Sequence, residues 1–230
     1  MPLIEFDGVG HDFEVAGRAR PVLRDIDLRL AEHRVAVIGA NGSGKSTLAR
    51  MLNGLVVPTF GTVRIDGLDT ARHGRAVRRR VGFCFTNPDA QIVMPTVAED
   101  VAFSLRRHRL SRAEIDARVT ATLSTYGLDG HADHPAHLLS GGQKQLLALA
   151  AVMVTEPDVL VLDEPTTLLD LPNTRAFAET VSGLRAQVVV VTHDLELVED
   201  FDRVLVVHQG RISHDGTPTD ALAHYRKLWE

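Results

Sequence analysis

Short runs of β-branched residues alternate along the chain with helix-length amphipathic segments, a pattern typical of α/β proteins. The unbroken apolar run Arg34–Ile38 predicts a parallel strand that is buried on both faces. A glycine-rich turn follows it, and we then expect a helix from about Gly44 to Asn53. Further strands are predicted at residues 158–163, 187–192, 203–207 and 210–213, with a final helix from near Pro218.

The middle of the chain has a different pattern, with no convincing strand between about Thr96 and Ala151. It contains three capping-box matches, in which a Ser or Thr precedes a Glu or Gln by three residues: Thr96 with Glu99, Ser111 with Glu114, and Ser140 with Gln143. We therefore predict a helical subdomain over about residues 92–151. It would be inserted into a core of about residues 1–91 and 152–230, within a single domain spanning residues 1–230.

The composition limits where such a protein can work. The longest apolar runs, such as Val188–Val191, are far shorter than the roughly 20 residues of a membrane-spanning helix. The segment Met1–Glu5 lacks the basic and apolar layout of a secretory signal. Cys84 is the single cysteine, so a reducing compartment is the simplest interpretation. The net charge of −5 disfavours a broad basic surface for nucleic acid, and we expect a cytosolic globular protein.

Arginine supplies most of the positive charge, because only three of the 25 basic residues are lysines. The local basic runs Arg78–Arg80 and Arg106–Arg109 are therefore interpreted as solvated helix or loop faces rather than as ligand sites. A lysine inside a glycine-rich turn, as at Lys45, is harder to attribute to the background composition.

Residues Gly39–Thr47 match the pattern of a phosphate-binding loop, and they lie between a predicted strand and a predicted helix. Glycines let consecutive backbone N–H groups form a concave anion site, and the helix N-terminus adds positive potential. We expect nucleoside triphosphate binding by Asn41, Gly42, Ser43, Gly44, Lys45, Ser46 and Thr47. Lys45 would reach the β- and γ-phosphates, and the Ser46 hydroxyl would bind Mg²⁺.

A pair of acids ends the apolar run that begins at Val159. A carboxylate at this point lies at the carboxyl edge of the sheet, where open α/β folds bind their ligands. Asp163 would hold Mg²⁺, and Glu164 would accept a proton from the attacking water or orient it. A solvated turn is the alternative, which the phosphate-binding loop upstream makes less favourable.

The segment Leu139–Gln143 has two interpretations. The plain one is a helix N-terminus capped by Ser140. Two glycines within the cap, Gly141 and Gly142, favour a second phosphate-binding device, because glycine weakens a helix start unless the backbone must be closely approached. A chain needs only one phosphate-binding device for each nucleotide that it binds. The economical inference is that Ser140, Gly141, Gly142 and Gln143 bind a nucleotide held by another copy.

With these segments in place, the chain resembles the ATP-binding cassette family over nearly its whole length. The motifs stand in family order: the phosphate-binding loop, the Q-loop glutamine Gln91, the signature Leu139–Gln143, the Walker B acids Asp163 and Glu164, the D-loop Thr167–Asp170 and the switch histidine His193. The resemblance implies a P-loop NTPase with a mostly parallel core sheet, an antiparallel β subdomain and an inserted helical subdomain. It also implies an ATPase that uses ATP and Mg²⁺.

The same resemblance assigns further roles. Gln91 and His193 would act with Glu164 in catalysis, and Gln91 would join Ser46 and Asp163 around Mg²⁺. Two cassettes would form a head-to-tail dimer, in which the Ser140 region of one completes the site at Lys45 of the other. Phe13 would stack on the adenine, with a core role for Phe13 or nearby Phe6 as the alternative.

Local segments resemble the energy-coupling-factor type of cassette, notably Phe85–Val93 around the Q-loop and Thr96–Phe103 after it. This type implies a transmembrane coupling subunit, a substrate-binding membrane subunit and a second cassette, either identical or a paralogue. It also implies a peripheral location at the cytoplasmic face of the cell membrane. Within the type, the chain is most similar to the ATPase subunits of biotin importers, with cobalt or nickel importers as the alternative. A soluble cassette that does not act in transport is less favoured, and no nucleic-acid partner is expected.

Overall fold

The computed structural model describes residues 1–230, which form ten strands and seven α-helices. The strands are β1 (Ile4–Val15), β2 (Arg18–Leu30), β3 (Arg34–Ile38), β4 (Phe60–Ile65), β5 (Leu68–Asp69), β6 (Val81–Cys84), β7 (Val159–Asp163), β8 (Gln187–Val191), β9 (Arg203–His208) and β10 (Arg211–Gly216). The helices are α1 (Lys45–Met51), α2 (Gly74–Arg80), α3 (Val97–Ser104), α4 (Arg112–Thr125), α5 (Gly141–Met153), α6 (Leu171–Ser182) and α7 (Pro218–Lys227).

A six-stranded sheet forms the centre of the fold, in the order β10-β9-β3-β8-β7-β6. All neighbours are parallel except β10, which runs antiparallel to β9. The five predicted strands of this sheet are confirmed: β3 has the predicted ends, and the ends of the other four differ by at most three residues. Strands β7 and β8 are buried at every position, as the unbroken apolar runs indicate. The order β3-β8-β7 places the carboxyl ends of three neighbouring strands together at one edge of the sheet.

A second, antiparallel sheet has the order β2-β1-β4-β5. Its apolar side chains, such as Ile4, Phe6 and Val63, pack with β3 and α1 in one core cluster. The phosphate-binding loop therefore lies between two sheets that share a core, and this arrangement fixes its position. The mixed α/β class and the antiparallel β part that the family resemblance implies are confirmed.

Three helices follow β6 as predicted, and all three capping boxes are formed. In each box the N-cap hydroxyl accepts a hydrogen bond from the N–H three residues on, and the Glu or Gln side chain accepts one from the N-cap N–H. Helix α3 packs against α5, and both helices share a core cluster with Leu160 of β7 and Val190 of β8. The N-terminus of α5 is thus anchored to the central sheet. None of the helices combines the length and the apolar character that crossing a bilayer requires.

Candidate functional site

The phosphate-binding loop connects the carboxyl end of β3 to α1 and is held in a tight curve by its glycines. Gly44, immediately before α1, has a φ of 108°, a left-handed conformation that residues with a side chain rarely adopt. A methyl group on Gly39 would lie 2.2 Å from the carbonyl oxygen of Val207, so strand β9 excludes any side chain there. The curve therefore requires glycine at both positions, at Gly44 because of its backbone conformation and at Gly39 because strand β9 leaves no room for a side chain.

Lys45 lies inside this curve and is almost completely buried. Its Nζ atom donates hydrogen bonds to the carbonyl oxygens of Gly39 at 2.8 Å and Ala40 at 3.1 Å. It also lies 3.8 Å from Oε1 of Glu164. Burial lowers the pKa of Lys45, and the nearby charges of Glu164 and Asp163 oppose that shift. The ammonium group is thus a desolvated cation at the floor of the loop.

Asp163 ends β7 and is completely buried. Ser46 Oγ donates a hydrogen bond to its Oδ1 atom at 2.7 Å, and Arg50 Nη2 donates one to its Oδ2 atom at 3.2 Å. The Thr86 hydroxyl donates to its backbone carbonyl oxygen at 2.8 Å. Arg50 did not emerge from the sequence analysis. Its position four residues after Ser46, on the same face of α1, is the signal that could have identified it.

Glu164 follows directly and has a φ of 53°, a left-handed value for a residue with a side chain. Its N–H donates to the carbonyl oxygen of Val191 at 2.8 Å, so the turn is fixed against the end of β8. This arrangement brings Glu164 Oε2 within 2.6 Å of His193 Nδ1, and the Thr167 hydroxyl donates to the same oxygen at 3.3 Å. Neighbouring strands thus place the predicted base beside the predicted switch histidine.

A cavity of about 630 Å³ opens above the loop and is lined by Phe13, Glu164 and most of residues 41–47. Phe13 is 42% exposed, whereas Phe6 is 2% exposed and belongs to the core. Of the two aromatic candidates, the structure brings only Phe13 to the cavity. Arg20 and Gln209 also line it and were not singled out from the sequence.

Gln91 does not reach the carboxylates in this structure. Its Oε1 atom accepts a hydrogen bond from the Phe85 N–H at 3.1 Å, and its Nε2 atom donates to the Ala148 carbonyl oxygen at 3.0 Å. Gln91 therefore connects the end of β6 to α5. Its roles in catalysis and in binding Mg²⁺ stay predictions.

The signature segment begins α5 on an exposed part of the surface. Ser140 caps the helix through the Gln143 N–H at 3.3 Å. A methyl group on Gly142 would lie 2.4 Å from Asn173 Oδ1, so α6 explains this glycine. The same group on Gly141 would meet nothing closer than the Leu168 carbonyl oxygen at 3.8 Å. Packing within the chain therefore explains one of the two glycines, and no signature residue lines the cavity above Lys45.

The donor set fits a triphosphate and a divalent cation. Ser43 Oγ is buried without a hydrogen-bond partner in the loop, and Lys45 supplies a positive charge beside it. The adjoining Ser46 hydroxyl and Asp163 carboxylate are oxygen ligands of the kind that Mg²⁺ prefers. The site can hold phosphate oxygens, a hard cation and, beside Glu164, a water molecule.

Comparison with known proteins supports this chemistry. The sequence model of the family described as "ABC transporter" matches residues 23–167. A putative ABC transporter ATP-binding protein of Deinococcus radiodurans is 50% identical over 98% of both chains. The biotin transport ATP-binding protein BioM of Rhizobium etli is 45% identical over 98% of both chains. The energy-coupling factor transporter ATP-binding protein EcfA1 of Symbiobacterium thermophilum is 44% identical over 99% of this chain and 83% of that protein.

Solved structures of ABC transporter cassettes also resemble this chain. A Clostridium perfringens protein described as part of the ABC transporter complex cbiONQ superposes with a TM-score of 0.85 at 30% identity, covering 98% of this chain and 92% of that one. A dimeric ATP-binding cassette in a post-hydrolysis state, bound to ADP and Pi, superposes with a TM-score of 0.83 at 26% identity. It covers 94% of this chain and 98% of that one.

Proposed function

Because the chain belongs to the ABC transporter family and is the ATP-binding subunit of an energy-coupling-factor-type transporter, we propose that it powers the uptake of biotin. The observation that supports biotin as the substrate is the 45% identity to a biotin transport ATP-binding protein along 98% of both chains. The chain is an ATPase whose hydrolysis is coupled to transport, and the cassettes it resembles bind ATP and form dimers.

The proposed mechanism starts from Glu164. Its Oε2 atom, 2.6 Å from His193 Nδ1, would accept the proton of the attacking water. His193 orients that carboxylate and would contact the γ-phosphate as it leaves. Lys45, already desolvated, would balance negative charge on the β- and γ-phosphates without first losing a hydration shell.

Ser46 and Asp163 would hold Mg²⁺, and Gln91 would join them after its side chain leaves Phe85 and Ala148. When bound, the cation neutralises charge on the β- and γ-phosphate oxygens. Asp163 is prepared for this role because Ser46 and Arg50 fix both of its carboxylate oxygens. Phe13 would stack on the adenine at the mouth of the cavity.

A second copy of this chain would complete each site. The exposed N–H groups around Gly141, with the Ser140 hydroxyl, would contact the nucleotide bound at Lys45 of the partner copy. Closure of two copies over ATP, and their separation after hydrolysis, would move membrane subunits docked near Gln91. The cassette would therefore work at the cytoplasmic face of the membrane, as a peripheral subunit.

The test is uptake. The chain is co-expressed and co-purified with its membrane subunits, and accumulation of radiolabelled biotin and of Co²⁺ is measured in cells that lack their own importers. We expect ATP-dependent uptake of biotin, and its loss with Lys45→Ala. Uptake of Co²⁺ without uptake of biotin would overturn the proposed substrate.

A further inference from the structure

Two basic runs that are distant in the sequence meet on one concave surface. A cavity of about 480 Å³ is lined by five arginines, from α2 and from the segment after α3: Arg75, Arg78, Arg79, Arg107 and Arg109. We call it the arginine cavity. From the sequence alone these runs are expected to be separate solvated faces, whereas the fold places them around a single recess.

The positive charge in the arginine cavity is not compensated within the chain. No carboxylate and no apolar side chain lines it, and none of its five arginines makes an ion pair or a side-chain hydrogen bond. Arg80, the last residue of the same helix α2, is by contrast paired with Asp66 at 3.2 Å. A local cluster of five free cations in a chain of net charge −5 creates a strong local potential that favours an anion.

The lining also selects the chemistry of that anion. Guanidinium groups present several N–H donors in a fixed fork, which matches the oxygens of phosphate groups. The hydroxyl groups of Ser104 and Thr155 lie in the same recess and add neutral hydrogen-bonding groups. The absence of carboxylates argues against a metal ion, and the absence of apolar side chains argues against an apolar ligand. A ligand with one or more phosphate groups fits best.

Exposed apolar residues that neighbour the cavity segments in the sequence indicate the source of the phosphate. Phe103, next to Ser104, is 41% exposed, and the Arg106 guanidinium carbon lies 4.8 Å from the centre of its ring. A methyl group on Gly54 would be 3.7 Å from Arg78 Nη1, so Gly54 lies near one of the lining arginines, and the next residue in the sequence, Leu55, is 48% exposed. Apolar side chains next to clustered cations are typical of surfaces that meet anionic bilayers.

We propose that the arginine cavity binds the phosphate head groups of anionic phospholipids and holds the cassette against the membrane surface. The proposal rests on the proposed function for the membrane location. Helix α3 supports the placement: it begins six residues after Gln91, near which the membrane subunits would dock, and its last residue, Ser104, lines the cavity. Its eight residues span about 12 Å, so only a short helix separates the cavity from the proposed docking region.

The experiment measures binding of the full chain to vesicles of phosphatidylcholine alone or with phosphatidylglycerol, by co-sedimentation without nucleotide. The test variant combines Arg75→Gln, Arg79→Gln and Arg109→Gln. The matched control neutralises three exposed arginines outside the cavity that form no ion pair: Arg118, Arg175 and Arg185. Each basic residue near an anionic surface strengthens partitioning roughly fivefold, so we expect about a 100-fold loss for the test variant, and a much smaller loss for the control.

Further measurements separate the outcomes. Unfolding midpoints show whether the variants remain folded, and replacing the same three arginines with lysine should retain most of the binding. Equal losses in the test and control variants would overturn the proposal, as would equal binding to both kinds of vesicle. The proposal would also be overturned if the chain bound a glutamate-rich peptide through these arginines but did not bind vesicles. The same conclusion would follow if a Lys45→Ala chain bound tripolyphosphate through these arginines but did not bind vesicles. Because the assay uses neither nucleotide nor membrane subunits, its result is independent of the biotin uptake test.

Discussion

Two adjacent glycines at the start of α5 allow the needs of the fold to be separated from those of a shared site. Within the chain, Gly142 faces Asn173 of α6, whereas Gly141 faces open space. The substitutions Gly141→Ala and Gly142→Ala place the same methyl group one residue apart. We expect Gly142→Ala to lower the stability of the chain, and Gly141→Ala to lower ATP hydrolysis without lowering stability.

Gly142→Ala acts on the fold. The new methyl group would lie 2.4 Å from Asn173 Oδ1, so the Asn173 side chain must move. That movement breaks the 2.7 Å hydrogen bond that Asn173 Nδ2 donates to Oδ1 of Asp170, the N-cap residue of α6. The lost hydrogen bond and the remaining crowding together lower the free energy of unfolding by about 1–2 kcal/mol. For a chain of this size, the unfolding midpoint should fall by about 2–8 °C.

Gly141→Ala acts on the proposed shared site. Its methyl group enters free space in the single chain, and alanine is favoured over glycine in a helix by up to about 1 kcal/mol. The unfolding midpoint should therefore stay the same or rise by a few degrees. If the partner's nucleotide approaches this backbone, the added group displaces it, and ATP hydrolysis should fall by about 10- to 100-fold.

The assay pairs thermal unfolding with phosphate release at saturating ATP. A Gly141→Ala chain that is as stable as the wild type but hydrolyses ATP slowly would support the shared site. Wild-type hydrolysis by this variant would refute the reasoning, because the open glycine would then have no close partner. A loss of stability equal to that of Gly142→Ala would refute the structural part.

Three further outcomes follow from the geometry. Glu164→Gln removes the proposed base and keeps the side-chain shape, so ATP hydrolysis should fall at least about 100-fold, while nucleotide titration shows near-normal ATP binding. Hydrolysis at the wild-type rate would contradict the assignment of Glu164 as the base. Phe13→Ala removes the exposed ring at the cavity mouth, so ATP binding should weaken about tenfold without a change in the unfolding midpoint. An unchanged affinity for ATP would show that the adenine stacks elsewhere. Burial raises the pKa of the Cys84 thiol to about 12, so a thiolate-specific reagent at pH 8 should label the unfolded chain only. The free energy of unfolding should decrease as the pH rises above 9.0, because the thiol of the unfolded chain ionises first. Rapid labelling of the native chain would contradict this burial.

The parallel sheet could be predicted because its strands are continuous apolar runs, which need no partner to be identified. The capping boxes could be predicted because each one is a local pairing of two side chains three residues apart. The pattern of apolar residues does not predict the long strands β1 and β2. Their pairing shifts register between Phe6 and Val9 and again before His11, so the alternation of apolar residues is interrupted.

In the site, the loop, Asp163, Glu164 and His193 follow from their positions at strand ends. The contacts between elements do not follow from the sequence in the same way. Arg50 reaches Asp163 only because of how α1 is rotated against β7. The Gly142–Asn173 contact depends on the packing of α6. The arginine cavity arises for the same reason, since chain folding alone brings its two runs together.

The central claim is that ATP is hydrolysed at sites shared by two copies of the chain, and mixing two inactive variants tests it most directly. Lys45→Ala disables the loop, and Gly141→Glu places a negative charge where the partner's phosphates would approach, at a helix N-terminus that tolerates an acid. In a 1:1 mixture about half of the dimers are mixed, and each has one intact site, so about a quarter of wild-type hydrolysis should return. If each variant alone is inactive and the mixture is inactive as well, the shared site is contradicted.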